Sequence, residues 1–391
     1  MRSLSKLAES FTESVIREMA RLCQSVGGYN LSQGFPDFES PQEIKDAAIA
    51  AINNEHNQYS VTYGEPELRE AISKKAWTYN SIKCNPQTDI TVCCGATEAM
   101  ISALMAIINP GDEIIVFEPF YENYGPDSIL SGATLRYVTL HTPDWSYSPD
   151  ELAGAFNEKT KAIIINTPHN PTGKVFSRKE MEEIAQLCIK WDCYAITDEI
   201  YEHILYDNCR HISMASIPGM NKRTITINSI SKTYAVTGWR VGWAIADKPV
   251  SQSIRKVHDF LTVGAPNPFQ HAAASALLFA DDYYINLQIH YAQLRETLFA
   301  TLQKAGFKPH LPQGAYYIFA DMADLMKKID VQDDVSFSRK LIDITGVATV
   351  PGSSFYNDPS SGKSKIRFCF CKKLETLQVV DIALNKLNAN S

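Results

Sequence analysis

What most constrains this chain is an alternation along its middle. Short apolar runs, each closed by polar residues, glycine or proline, occur at 90–94, 113–117, 162–166, 194–197, 224–228 and 241–246, with a weaker run at 134–139. Between them lie stretches with helical spacing of apolar residues, at 67–79 and 98–108. Another opens on Ser177 with Glu180 three residues on, the spacing at which two side chains cap each other's free backbone N–H. Continuous apolar strands are buried on both faces, which happens when helices cover both sides of a mostly parallel sheet. The alternation therefore predicts a doubly wound α/β unit.

The two ends read differently. A helical pattern covers 15–25, followed by the loop Gly34-Phe35-Pro36-Asp37. After about residue 285 a long helical stretch leads into short strands at 314–319 and 365–370. These pieces read as a smaller α+β domain built from both termini, 1–45 and 285–391, beside a large domain at 46–284. The stretch 351–362, rich in Pro, Gly and Ser, reads as a surface loop.

At 391 residues, 45% hydrophobic and 21% charged, the chain can bury the cores of two such domains. Its net charge of −7 provides no electrostatic footprint for nucleic acid. The first twenty residues lack the apolar stretch of a signal peptide, and no run is long enough to span a bilayer. Nine cysteines are scattered without a CxxC pair, so reduced thiols in the cytoplasm are expected and no metal site is.

The strongest chemical signal is Ser229-Ile230-Ser231-Lys232, with Gly238-Trp239-Arg240-Val241-Gly242 behind it. Alone, a lysine after a strand reads as a solvated charge. An amine that must condense with an aldehyde needs a lowered pKa, and a nearby cation lowers it. Ser229 and Arg240 add a hydroxyl and a planar fork suited to a phosphate. Asp198, in Thr197-Asp198-Glu199-Ile200-Tyr201, stands at a strand end, on the rim where open α/β sheets bind ligands. It reads either as a helix cap or as the counter-ion of a protonated ring nitrogen. Asn166-Thr167-Pro168-His169-Asn170-Pro171-Thr172-Gly173 is locally a turn, and an Asn at this rim can also donate to a phenolate oxygen. In Cys94-Gly95-Ala96-Thr97, small residues let backbone N–H groups approach an anion at a helix start.

These strings occur in the order found in the class I/II aminotransferases of pyridoxal-phosphate fold type I, and the chain resembles that family over essentially its whole length. Gln33-Gly34-Phe35-Pro36-Asp37-Phe38, Ile254-Arg255-Lys256-Val257-His258 and Ile366-Arg367-Phe368-Cys369-Phe370 resemble the kynurenine/glutamine/methionine aminotransferase branch. The resemblance implies an α/β large domain with a mostly parallel seven-stranded sheet, a smaller α+β domain, and a homodimer. It implies pyridoxal 5'-phosphate as cofactor. The implied reaction moves the α-amino group of an uncharged or hydrophobic amino acid (methionine, glutamine, leucine or aromatic) to a 2-oxo acid.

By the same resemblance, Lys232 is the Schiff-base lysine and proton shuttle, and Asp198 pairs with the ring nitrogen. Asn170 and Tyr201 hold the ring's 3-oxygen and Tyr121 stacks on the ring. Ala96, Thr97, Ser229 and Arg240 bind the phosphate, and Tyr59 reaches the phosphate of the neighbouring subunit. Arg367 grips the substrate α-carboxylate, with Gly34 closing the site nearby. A C–S β-lyase uses the same machinery and is the alternative. Two departures bear on specificity. Where kynurenine aminotransferases place an aromatic residue and a histidine across the dimer, this chain has Val263 and Gly264, and no aromatic stands at 14–16. No second arginine for a distal carboxylate is evident, so medium-sized uncharged donors are expected.

Overall fold

The computed structural model describes residues 3–11 and 13–389. Its centre is a seven-stranded sheet in the order Ile90–Cys93, Gly242–Ile245, Thr224–Ser229, Tyr194–Asp198, Thr160–Asn166, Glu113–Glu118, Thr134–Thr139. Gly242–Ile245 runs antiparallel to both neighbours, and the remaining pairs are parallel. β-Branched residues stand in register across the middle, Ile164 beside Ile196 and Ile196 beside Ile225, where branched side chains pack well on a pleated surface.

Side chains of a strand alternate between faces, and the two faces have separate cores. Ile114, Val116 and Ile164 meet Ala99, Met100, Ala103 and Leu104 of helix Gly95–Ile107. Ile115, Phe117 and Ile163 meet Met181, Ile184 and Cys188 of helix Arg178–Lys190. That second helix opens on the expected capping box of Ser177 and Glu180. Asn166, Asp198 and Ser229 are the last residues of three adjacent strands, so the sheet presents them side by side at one edge.

A second, antiparallel sheet has the order Val350–Pro351, Lys365–Cys369, Tyr317–Asp321, Lys308–Pro309. The long helix Asp281–Lys304 and helix Leu374–Leu384 flank it. Tyr29–Asn30 pairs in parallel with Val347–Ala348, tying the first segment of the chain to the last. Helix Val15–Ser25 starts and ends where the pattern predicts, and its Met19 and Cys23 pack on Ile342 and Ala348. No described helix is long and apolar enough to cross a membrane.

Two expectations are corrected. The helix expected from residue 98 starts at Gly95, because Gly95 adopts φ +83° and the Glu98 carboxylate accepts the Cys94 N–H at 2.6 Å. This puts Ala96 and Thr97 in the first helical turn. The stretch at 351–362 is exposed at 357–361, as expected of a surface loop, but its first half is packed into the protein. It folds into the 3-10 turns Gly352–Phe355 and Pro359–Gly362, with Phe355 and Tyr356 buried and the Phe355 carbonyl accepting the Phe120 N–H at 2.8 Å.

Candidate active site

At the carboxyl edge of the large sheet lies a cavity of about 480 Å³. Lys232, Asp198, Tyr201, Tyr121 and Asn170 line it, together with Ala96, Thr97, Arg240, Gly34 and Arg367. Segments far apart in the chain thus converge, as expected where parallel strands end in separate loops. Two expected residues lie elsewhere. Ser229 sits behind the wall, its hydroxyl accepting the Ser231 N–H at 3.1 Å; Ser231 itself lines the cavity. The Ser231 hydroxyl is buried with no partner. Tyr59 lies outside the cavity and is 87% exposed.

One end of the cavity is built for an anion. The first N–H groups of helix Gly95–Ile107 have no intrahelical acceptor and carry the positive end of the helix dipole. The Arg240 guanidinium lies against them, held by the carbonyls of Thr237 at 2.9 Å and Cys94 at 3.4 Å. A Cβ at Gly95 would stand 2.3 Å from that guanidinium, so only glycine permits this approach.

Asp198 is buried in the cavity wall. Its carboxylate accepts the Tyr124 hydroxyl at 2.8 Å and the Ile200 N–H at 3.4 Å. Burial outweighs these bonds and raises its carboxyl to about 6. A protonated ring nitrogen against it would relieve that penalty. Asn166 binds the Asp198 carbonyl through its amide at 2.9 Å and accepts the Asn170 N–H at 2.7 Å, so it locks two strand ends together.

The Lys232 amine donates to the Gly34 carbonyl at 3.0 Å and lies 5.7 Å from the Tyr316 ring and 5.9 Å from the Tyr201 ring. Burial lowers it to about 8, with Arg367 and Arg240 pushing the same way. Arg367 is 1% exposed. Its guanidinium donates to Asn170 Oδ1 at 2.9 Å and the Ser32 carbonyl at 2.5 Å, and lies 4.2 Å from the Tyr317 ring centre. Its Nε is buried without a partner, and no carboxylate pairs with it among the described residues. A buried cation in that state is costly unless an anion completes it. A Cβ at Gly34 would stand 2.0 Å from the Tyr317 hydroxyl, so glycine lets the loop close over the site.

Several lining residues escaped the sequence reading. Tyr124 holds Asp198, and the Tyr317 hydroxyl meets the Tyr201 hydroxyl at 3.0 Å. At the mouth, Ser14 caps helix Val15–Ser25 and donates to Glu122 at 2.5 Å. This brings Ile16 and Arg17 to the wall. Arg17 corrects the expectation that no second arginine reaches the site. On a polar helix start, a lone arginine looks like any solvated charge. Tyr124 had a signal, since it stands three residues after Tyr121.

The family described as aminotransferase class I and II matches the chain over residues 27–383. The kynurenine–oxoglutarate transaminase of Dictyostelium discoideum is 37% identical over 417 residues, covering 98% of this chain and 96% of the relative. The methionine aminotransferase of Escherichia coli (strain K12) is 35% identical, covering 98% of each chain. The structure of N-succinyldiaminopimelate aminotransferase from Mycobacterium tuberculosis superposes with a TM-score of 0.93 at 35% identity, covering 100% of both chains. Enzymes of this class depend on pyridoxal 5'-phosphate. The residues present fit that group. The helix start and Arg240 form an anion cup, Asp198 is a buried acid that a ring cation would satisfy, and Lys232 is a buried amine with lowered basicity. With fold, cavity and relatives in agreement, the chain belongs to the class I and II aminotransferases, and is a pyridoxal-phosphate-dependent enzyme.

Proposed function

We propose that this aminotransferase takes the α-amino group from an uncharged or hydrophobic amino acid, such as methionine, glutamine, leucine or an aromatic, and passes it to a 2-oxo acid. The observation that carries the reading is the buried Arg367 guanidinium, unmatched by any carboxylate among the described residues, in the same cavity as the Lys232 amine. Bound pyridoxal 5'-phosphate supplies an electron sink for the bonds at the substrate's α-carbon. Arg367 binds the α-carboxylate through its planar fork, and Asn170, held by Arg367 and Asn166, keeps that fork oriented. The Lys232 Nζ, steered by the Gly34 carbonyl, would take the α-proton as the neutral amine and, as the ammonium, give it up at the cofactor's aldehyde carbon, the shift that moves the amino group. Asp198, fixed by Tyr124, would keep a proton on the ring nitrogen. Tyr201 and Asn170 would hold the ring oxygen, Tyr121 would cover the ring face, and Ala96, Thr97 and Arg240 would hold the phosphate, backed by Ser229 behind the wall.

The mouth supports an uncharged donor. Ser14 and Ile16 form its wall, and Arg17 shares it with the carboxylate of Glu122, so it is not a purely cationic clamp. Relatives named for kynurenine and methionine agree with this reading. The β-lyase alternative has no support among them. The ratio of kcat/KM for methionine over aspartate should exceed unity. A ratio below unity would make Arg17 a distal-carboxylate clamp and overturn the assignment.

We further infer a C2 homodimer in which Tyr59, an aromatic 87% exposed on one protomer, reaches the partner's phosphate cup. Sedimentation at assay concentration should show a dimer; a fully active monomer would refute it. Domains at 1–45 with 285–391, and at 46–284, are supported by the packing of Met19 and Cys23 on Ile342 and Ala348. A cytoplasmic location is supported by nine cysteines that are all free.

A further inference from the structure

Behind the anion cup lies a buried cluster that the proposed reaction does not use. His258, on helix Lys248–Thr262, is 0% exposed. Its Nδ1 meets Glu98 Oε1 at 2.7 Å and its Nε2 meets the Thr62 carbonyl at 2.7 Å. Thr262 Oγ1 lies 3.2 Å from Nδ1. Glu98 also accepts the Cys94 N–H at 2.6 Å and the Ser102 hydroxyl at 3.0 Å. On the far side, Thr62 belongs to the segment that carries Tyr59. Asn267 grips the Gln58 carbonyl there at 3.1 Å, and Gln270 grips the Ser60 hydroxyl at 2.9 Å.

Cys93, Glu98 and His258 bring potential metal-ligand atoms within 4.8 Å of one another. A metal needs a free nitrogen lone pair, yet both ring nitrogens face acceptors, a carboxylate and a carbonyl. A ring that donates from both nitrogens is an imidazolium, so the histidine itself is the cation of this cluster. The ionisable groups around it are Glu98 and Cys93 from the opposing helix and strand, and Asp259 from its own helix. Burial alone would make the ring less basic, but the bond to Glu98 and its charge carry it above the ordinary histidine value.

We propose that His258 is a positioning residue for the phosphate cup, a charged strut that ties the start of helix Gly95–Ile107, through Glu98, to the Tyr59 segment, through the Thr62 carbonyl. Pulling on Glu98 holds Cys94 and the helix start in place. Pulling on Thr62 sets where Tyr59 emerges toward the partner. One buried ring thereby fixes both the cup of its own protomer and the tyrosine offered to the other. This rests on the assignment of Ala96, Thr97, Arg240 and Tyr59 to the phosphate.

The test compares two probes on the cofactor-stripped, full-length enzyme: pyridoxal 5'-phosphate and pyridoxal, which lacks the phosphate. In His258→Gln and in Glu98→Gln, the Kd for pyridoxal 5'-phosphate should rise about tenfold or more, and that for pyridoxal by less than about twofold. The double variant should lose no more than either single variant, because both break one strut. Equal loss for both probes, or loss for neither, would overturn the proposal, as would stoichiometric zinc whose removal reproduces the phosphate-selective loss. If His258→Gln does not fold, Glu98→Gln carries the test alone. Arg240→Ala and Tyr59→Phe separate the two levels. If these leave pyridoxal 5'-phosphate affinity unchanged, the phosphate assignment itself fails. If they weaken it and His258→Gln does not, only the strut fails.

Discussion

Lys232 and Arg367 owe their chemistry to burial. An exposed lysine would stay protonated and an exposed arginine would stay hydrated. Here the lysine is lowered to about 8 and the arginine is 1% exposed with an unmet Nε. Arg367→Lys keeps the charge and loses the planar fork, so kcat/KM should fall for every amino donor alike, by a factor equivalent to roughly 1.5–3 kcal/mol. A loss confined to one donor would show that Arg367 reads the side chain instead. Residues such as Lys232, Asp198, Asn170 and Arg367 were legible in the sequence because each sits in a string that ends a strand or lies within one. Arg17, Asn166 and Tyr317 were not, since a helix-start cation, a turn amide and a core aromatic acquire meaning only from what they face. Ser229 shows the converse: its string pointed to the cavity, while the fold puts Ser231 on the wall.

Among the elements, the strand that leads to Lys232 is held by a buried polar network. The Glu202 carboxylate takes the amides of Asn228 and Asn80, each at 2.7 Å, and pairs with Lys75 of helix Pro66–Thr78. Burial would raise this carboxyl, but Lys75 leads the charges that bring it down to about 2. Lys75→Met would leave a buried carboxylate unpaired beside the end of strand Thr224–Ser229. Chemical unfolding should show a destabilisation of about 3–5 kcal/mol, and a loss below about 1 kcal/mol, the scale of an exposed pair, would show that the pair is dispensable. Apolar periodicity placed helix 15–25 and the seven strands, because burial on one or both faces is written in the sequence itself. It missed the true start of helix Gly95–Ile107, which is set by one positive-φ glycine and one side-chain cap. It also missed the buried turn Gly352–Phe355, whose Phe355 carbonyl accepts the Phe120 N–H from a distant segment.

At the scale of the whole molecule, the first and last segments of the chain come together through Tyr29–Asn30 and Val347–Ala348, and the loop bearing Gly34 closes over Lys232. Arg367, Gly34 and Lys232 therefore meet only when both ends of the chain are in place. Motif order carried the family and the cofactor in the sequence, but the mouth of the cavity, lined by Ser14, Ile16 and Arg17, depends on how the N-terminal helix docks. The central claim is that Lys232 anchors the cofactor. It is tested most directly by adding pyridoxal 5'-phosphate to the stripped enzyme, reducing with borohydride at a series of pH values, and mapping the labelled peptide. The label should fall on Lys232, and its rate of appearance should rise as pH climbs through about 8, where this buried amine loses its proton. A label on another lysine, or a rate that rises only near the ordinary value of 10.5, would contradict the account.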